Sequence, residues 1–385
     1  MGWHSATSIK RPSLKPDRVK QFVSVIVILS VLLPASDPAW AKKRKHPRPK
    51  HRKPPVQETY AERPEVDAFS KELAQQGLDA AFVTATLRQA RKLESVRNAV
   101  KPLPAGVKKN WQAYRARFVD PEHIQAGVRF LAENQALLAR AASLYGVPKS
   151  VILGILGVET FYGNNTGNYR VIDSLATLAF DYPEGNKDRS PYFRGQLAEF
   201  FQWCKRSQCE PLSVLGSYAG AIGMPQFMPE NIDKYGVDFD GDGQINLQTP
   251  ADAIGSVACF LALHGWTANL PPSYRVNVEG AQLVPLLAPD IVPTFGYWQL
   301  QALGAKPLEP LPPWEKFALV ELQNGNNPSD YFIGSRNFYV LTRYDRSAYY
   351  AMAVIELGEA VEKTKYDGLD TGVMMSNVPT PKGRD

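Results

Sequence analysis

Several reaction classes are short of material in this chain. It holds three cysteines and five histidines in 385 residues, and only His123 and His264 lie beyond residue 55. A histidine-rich zinc site or a Ser-His-Asp triad is therefore poorly supplied. There is no Cys-x-x-Cys, no phosphate-binding Gly-x-x-x-x-Gly-Lys and no dinucleotide glycine fingerprint. The apolar run Phe22 to Leu33 falls short of the ~20 residues that span a bilayer, and a multispan membrane protein is excluded. Basic charge is scarce where it would matter for nucleic acid. The first 55 residues carry 13 of the 44 Lys/Arg but 2 of the 38 Asp/Glu, so the rest is net acidic and no nucleic-acid partner is expected. What is abundant is apolar surface: 44% hydrophobic against 21% charged residues builds a large core and excludes a mainly disordered chain.

Lys10, Arg11, Lys15, Arg18 and Lys20 precede that apolar run, and Ala39-Trp40-Ala41 follows it. Charged region, short apolar region and small residues make a secretory signal over residues 1–41, with an uncleaved anchor left open. No cysteine lies near it, so lipid attachment there is excluded. Residues 42–59 form a basic, proline-rich linker, read either as a solvated spacer or as an electrostatic tether to an anionic envelope surface. In an oxidising compartment Cys204 and Cys209 are close enough to clip a short loop, but five-residue spacing satisfies disulfide geometry only in some conformations. Cys259 sits in an apolar helical pattern as a small buried hydrophobe.

Helical spacing predicts elements at Val66–Leu73, Leu78–Leu93 (capped by Asp79), Ile124–Tyr145, Val151–Val158, Gln196–Lys205, Ala251–His264 and Ser347–Lys363. Val151–Val158 is apolar on nearly every face and should be the central buried helix. Residues 267–313 promise only brief elements. Strands are expected at Phe317–Leu322, Tyr331–Ile333 and Phe338–Leu341, with Gly325 in a turn. The fold class is α+β, mainly α, with no internal repeat and a loose tail from residue 366.

Carboxylates and aromatics dominate the polar chemistry, an inventory suited to carbohydrate. Glu159 closes the apolar run; desolvation there disfavours its charged form and suits it to proton donation. The alternative is a buried glutamate neutralised by Arg170. Asp238-Phe-Asp240-Gly-Asp242-Gly-Gln244 places oxygen ligands at positions 1, 3 and 5 and a backbone carbonyl at 7, the start of an EF-hand-like calcium loop. Position 12 is Thr249, not glutamate, so Asp252 is the candidate for the missing carboxylate, although Thr249 to Asp252 also reads as a capping box. In Ser217-Tyr-Ala-Gly-Ala-Ile-Gly223-Met-Pro225-Gln226, glycines let backbone approach a ligand and Ser217 and Gln226 could bond sugar groups; a tight packing turn is the other reading.

These segments, with Thr342-Arg-Tyr344 after them, occur in the order found in the membrane-bound lytic murein transglycosylase B family, which the chain resembles from about Tyr60 to Glu362. The resemblance implies a lysozyme-like catalytic core over residues 60–365 with added helical and small-sheet regions, a structural Ca2+ and no organic cofactor. It implies a periplasmic monomer whose partner is the peptidoglycan glycan strand. The β-1,4 bond between N-acetylmuramic acid and N-acetylglucosamine would be cut without water, leaving a 1,6-anhydro end. Glu159 would be the single acid/base, and Tyr114, Ser217, Gln226, Tyr344 and Tyr350 would line the glycan groove. Asp173, the nearest other carboxylate in sequence, has the pattern of a helix cap. Two residues depart from the family pattern: Phe260 stands for a tyrosine in the cleft, and Asp345 replaces an asparagine, placing an extra acid near the groove. A lysozyme-type hydrolase and a calcium-stabilised, non-catalytic wall-binding protein are the alternatives.

Overall fold

A computed structural model describes residues 58–371, apart from 103–105, 107 and 186. The predicted leader, most of the basic linker and the tail beyond Thr371 lie outside the described residues. Among the described residues no single helix is long and apolar enough to cross a membrane.

Four short helices lead: α1 (Pro64–Ala74), α2 (Ala80–Leu87), α3 (Glu94–Ala99) and α4 (Trp111–Arg115). Asp79 caps α2 as predicted, its carboxylate accepting from the N–H of Ala81 at 2.8 Å. The helix expected through Leu93 stops at Leu87, because the backbone beyond it is used elsewhere. Tyr60 N–H donates to Ala90 O, Lys92 N–H to Glu58 O, and Arg91 N–H to the carboxylate of Asp173.

The single helix predicted from Ile124 to Tyr145 is two, α5 (Pro121–Glu133) and α6 (Gln135–Tyr145). Asn134 breaks them at φ −115°, ψ 23°, its side-chain amide donating to Phe130 O at 2.9 Å. Then come α7 (Lys149–Thr160), β1 (Tyr169–Arg170), α8 (Val171–Phe180), α9 (Ser190–Ser207), β2 (Leu215–Gly216), α10 (Pro229–Tyr235) and α11 (Pro250–Leu263). A disulfide joins Cys204 to Cys209 at the end of α9. Cys259 is half-buried, less enclosed than its apolar neighbours predict.

Every residue of α7 from Val151 to Val158 is buried, as the unbroken apolar run requires. Its main partner is α15 (Ala348–Thr371), which runs past the boundary predicted at 365. The two backbones touch. A Cβ on Gly154 would lie 2.0 Å from Val354 O, and one on Gly358 would lie 2.0 Å from Ser150 O.

The brief elements predicted for 267–313 are β3 (Ser273–Asn277), α12 (Leu283–Leu287), α13 (Tyr297–Ala302) and β4 (Lys306–Pro307). With β5 (Ala318–Asn324) and β6 (Asn327–Gly334) the strands make an antiparallel sheet in the order β4-β3-β6-β5. Strand alternation divides its faces. The row Tyr274, Ile333, Leu319 packs with Leu286, Leu300 and Phe317 in a small separate core, while Val320 and Leu322 join the main core. The third predicted strand is a correction: Phe338–Leu341 lies in α14 (Arg336–Tyr344). Phe338, Leu341 and Tyr344 recur at helical spacing, and the Ser335 hydroxyl accepts from Asn337 N–H as a cap. The molecule is thus mainly helical α+β with small sheets.

The α7–α15 contact predicts opposite outcomes for one type of substitution. Gly154→Ala forces backbone apart and should destabilise by about 2 kcal/mol or more. Gly195→Ala, in the exposed middle of α9 with nothing within 4 Å of the new atom, should stabilise by up to about 1 kcal/mol. Urea unfolding of both variants checks the pair; equal effects would contradict the packing account.

Candidate active site

The end of α7 is shaped by two residues in left-handed conformation, Phe161 at φ 51° and Tyr162 at φ 57°. The Thr160 hydroxyl holds this turn: it accepts from Gly163 N–H at 3.0 Å and donates to Met224 O at 2.9 Å. Met224 belongs to the glycine-rich segment after β2. There Ser217 Oγ accepts from the N–H groups of Ala219 and Ala221, and Gln226, at φ 51°, donates its amide to Gly223 O and Thr166 O. Ser217 therefore holds its own turn, and Gln226 holds its turn and ties it to the segment at Thr166. The anchoring role of Thr160 was not legible, because its partner is 64 residues away.

Glu159 stands in the last turn of α7. Its Oε1 accepts from the Tyr350 hydroxyl at 2.7 Å, and its buried Oε2 meets no hydrogen-bond partner. Tyr350, on α15, is fully buried and stacks on Tyr344 with centroids 6.2 Å apart and planes 14° apart. The Tyr344 hydroxyl donates to Pro225 O at 2.5 Å. Phe260 is enclosed behind it, edge-on to Tyr344 at 4.8 Å and stacked on His264 at 4.0 Å. Tyr114 is half-buried, stacked on Trp111, with Arg117 5.5 Å over its ring.

Burial pushes the Glu159 carboxyl up from 4.5 to about 8; the Tyr350 hydrogen bond opposes the rise and the charge of Asp345 adds to it. The group is therefore protonated at neutral pH and ionises above about 8. Burial likewise raises Asp345 to about 7, against a hydrogen bond from Ser347 N–H. Arg170 does not neutralise Glu159. It grips Asp173 through Nε and Nη2 at 2.8 and 2.7 Å. Asp173 is not the cap predicted for it: it lies inside α8 and ties the N-terminal helices to the core through Arg91 N–H.

In the acidic loop, carboxylate oxygens of Asp238, Asp240 and Asp252 lie within 4.8 Å of one another. Asp242 stands outside this group, its Oδ1 accepting from Gln244 N–H at 2.8 Å. Asp252 accepts from Phe239 N–H and Asn246 N–H, both at 2.7 Å, and so fastens the two arms of the loop. Thr249 alone makes the cap of α11, accepting from Asp252 N–H.

The family model described as Transglycosylase SLT domain matches residues 61–359. Membrane-bound lytic murein transglycosylase B of Escherichia coli (strain K12) is 39% identical over 312 residues, 78% of this chain and 84% of that protein. Among solved structures, catenated lytic transglycosylase SltB1 from Pseudomonas aeruginosa is 38% identical, with a TM-score of 0.73 over 80% of this chain and 99% of that one. The Escherichia coli lytic transglycosylase Slt35 in complex with calcium is also 38% identical, with a TM-score of 0.70 over 80% and 97% of the two chains.

The site geometry predicts the effect of Tyr350→Phe. Losing a donor that favours the ionised carboxylate should move the Glu159 titration midpoint above about 8. Carboxyl-carbon NMR of the labelled protein reads it, and a midpoint that stays put or falls would contradict the assignment.

Proposed function

The chain belongs to the transglycosylase SLT domain family, and we infer from that membership and from the state of Glu159 that it is a peptidoglycan lytic transglycosylase with Glu159 as its acid/base. The observation that carries the reading is the half-satisfied, desolvated carboxyl: one oxygen held by Tyr350, the other buried and unbonded.

In the proposed reaction Glu159 donates its proton to the oxygen of the β-1,4 bond between N-acetylmuramic acid and N-acetylglucosamine as the C1–O bond breaks. The resulting carboxylate takes the proton from the muramoyl 6-hydroxyl while that oxygen bonds to C1. The product is the 1,6-anhydro ring, and the enzyme regains its starting proton without consuming water. The substrate's acetamido group shields the oxocarbenium charge, so a second carboxylate nucleophile is not required. Tyr114 offers a half-buried ring for the glycan, and the Ser217–Gln226 segment brings backbone close to it. Phe260 acts from behind by shaping Tyr344.

For the acidic loop the donors fit a hard cation: three carboxylates converge, and Ca2+ prefers such oxygen ligands. Asp238, Asp240 and Asp252 would hold it, with Asp242 and the Gln244 carbonyl completing the set. Bound there, the ion neutralises the clustered acids and braces the loop. The leader supports export to the periplasm, with the basic linker as the segment facing an anionic surface and the chain working as a monomer.

Glu159→Gln should cut the release of anhydro-muropeptides from purified peptidoglycan by about 10³-fold. Mass spectrometry decides between readings, since reducing muramic acid ends would instead mark a hydrolase. Wild-type activity should fall as pH rises past about 8, where the acid form is lost. Chelation should lower the melting temperature, and a metal-free protein with an unchanged melt would remove the calcium site.

A further inference from the structure

Two acids share this site, Asp345 buried and Glu159 half-buried with its Oε2 enclosed, and the fold treats them oppositely. Glu159 occupies the last turn of α7, where the helix dipole is negative and disfavours a carboxylate. Asp345 lies just before α15. Ser347 caps that helix, its Oγ accepting from Tyr350 N–H and its carbonyl from Ala351 N–H. Asp345 accepts from the N–H of Ser347, at the positive end of the dipole. It is 7% exposed and adjoins Tyr344, whose ring stacks on the tyrosine that holds Glu159.

Resting on the reading of Glu159 as the acid/base, we propose that Asp345 is a positioning residue for the catalytic proton: it takes the site's negative charge ahead of Glu159 and so adds to the burial that keeps Glu159 protonated. The first proton leaves the pair at the helix N-terminus and the second, at higher pH, from the end of α7. The numbers run the same way, with Asp345 at about 7 and Glu159 at about 8. With the Asp345 charge raising Glu159, the two acids would release their protons in separate steps.

The surrounding groups leave the charge uncompensated. Tyr114 on α4, Glu159 on α7 and Tyr350 on α15 all feel the Asp345 carboxylate, and each is shifted upward. Tyr344 of α14 is committed to Pro225 O. Arg343 lies over the Tyr339 ring at 4.1 Å, Arg346 is exposed, and Arg117 faces the rings of Tyr114 and Phe118. Neither acid takes part in the ion pairs of the described residues.

Asp345→Asn keeps the shape of the side chain and removes its charge. The alkaline midpoint of kcat/KM for anhydro-muropeptide release should fall by about one pH unit, the opposite direction from Tyr350→Phe. An unmoved midpoint in a folded Asp345→Asn protein would overturn the proposal. Should that variant not fold, carboxyl-carbon NMR of the wild-type protein decides: Asp345 must ionise at lower pH than Glu159, and the reverse order overturns it. Glu159→Gln separates the two claims. If that variant stays active, the acid/base reading itself fails; if it is inactive while the Asp345→Asn midpoint is unmoved, only the role of Asp345 does.

Discussion

The contact of α7 with α15 is the constraint from which the site follows. Two glycines, one on each helix, remove the side chains that would hold the backbones apart. Only with the axes this close does Tyr350, near the start of α15, meet Glu159 at the end of α7. With α5, α6 and α11 packed on its other faces, α7 is buried all round, and that enclosure removes water from the carboxyl. Packing and proton chemistry are here one requirement.

Within that frame desolvation outweighs the hydrogen bond. Tyr350 favours the carboxylate, yet the group stays near 8. This has a cost to folding. An unfolded chain would ionise the glutamate near 4.5, so stability present below that pH is progressively lost as pH rises toward 8. The fold tolerates the loss because its main core is extensive. Thr160 and Tyr344, each tied to a carbonyl of the 215–229 segment, keep the strained helix end in place.

The sequence makes the helical class, the central helix and Glu159 legible, because an unbroken apolar run ending in an acid has few other readings. The hairpin of β5 and β6 is legible for the same kind of reason, two apolar segments about a glycine turn. Phe338–Leu341 misleads because four apolar residues fit either period, and the decisive Ser335 cap lies outside the run. The break at Asn134 is invisible to spacing, since both halves keep one apolar stripe. The family resemblance put Tyr350 only in the glycan groove, and its bond to Glu159 was not legible: 191 residues separate them, and no local pattern encodes their meeting. Asp252 was ambiguous for a physical reason. Its backbone N–H serves the helix cap while its carboxylate reaches the loop instead of closing a capping box.

Met224 is bonded on both sides. Its N–H reaches Leu247 O at 2.8 Å, inside the acidic loop, and its carbonyl receives the Thr160 hydroxyl. One residue thus bridges the aspartate loop and the glutamate's turn. A displacement of the loop would therefore have only two hydrogen bonds to cross before it met the glutamate's turn.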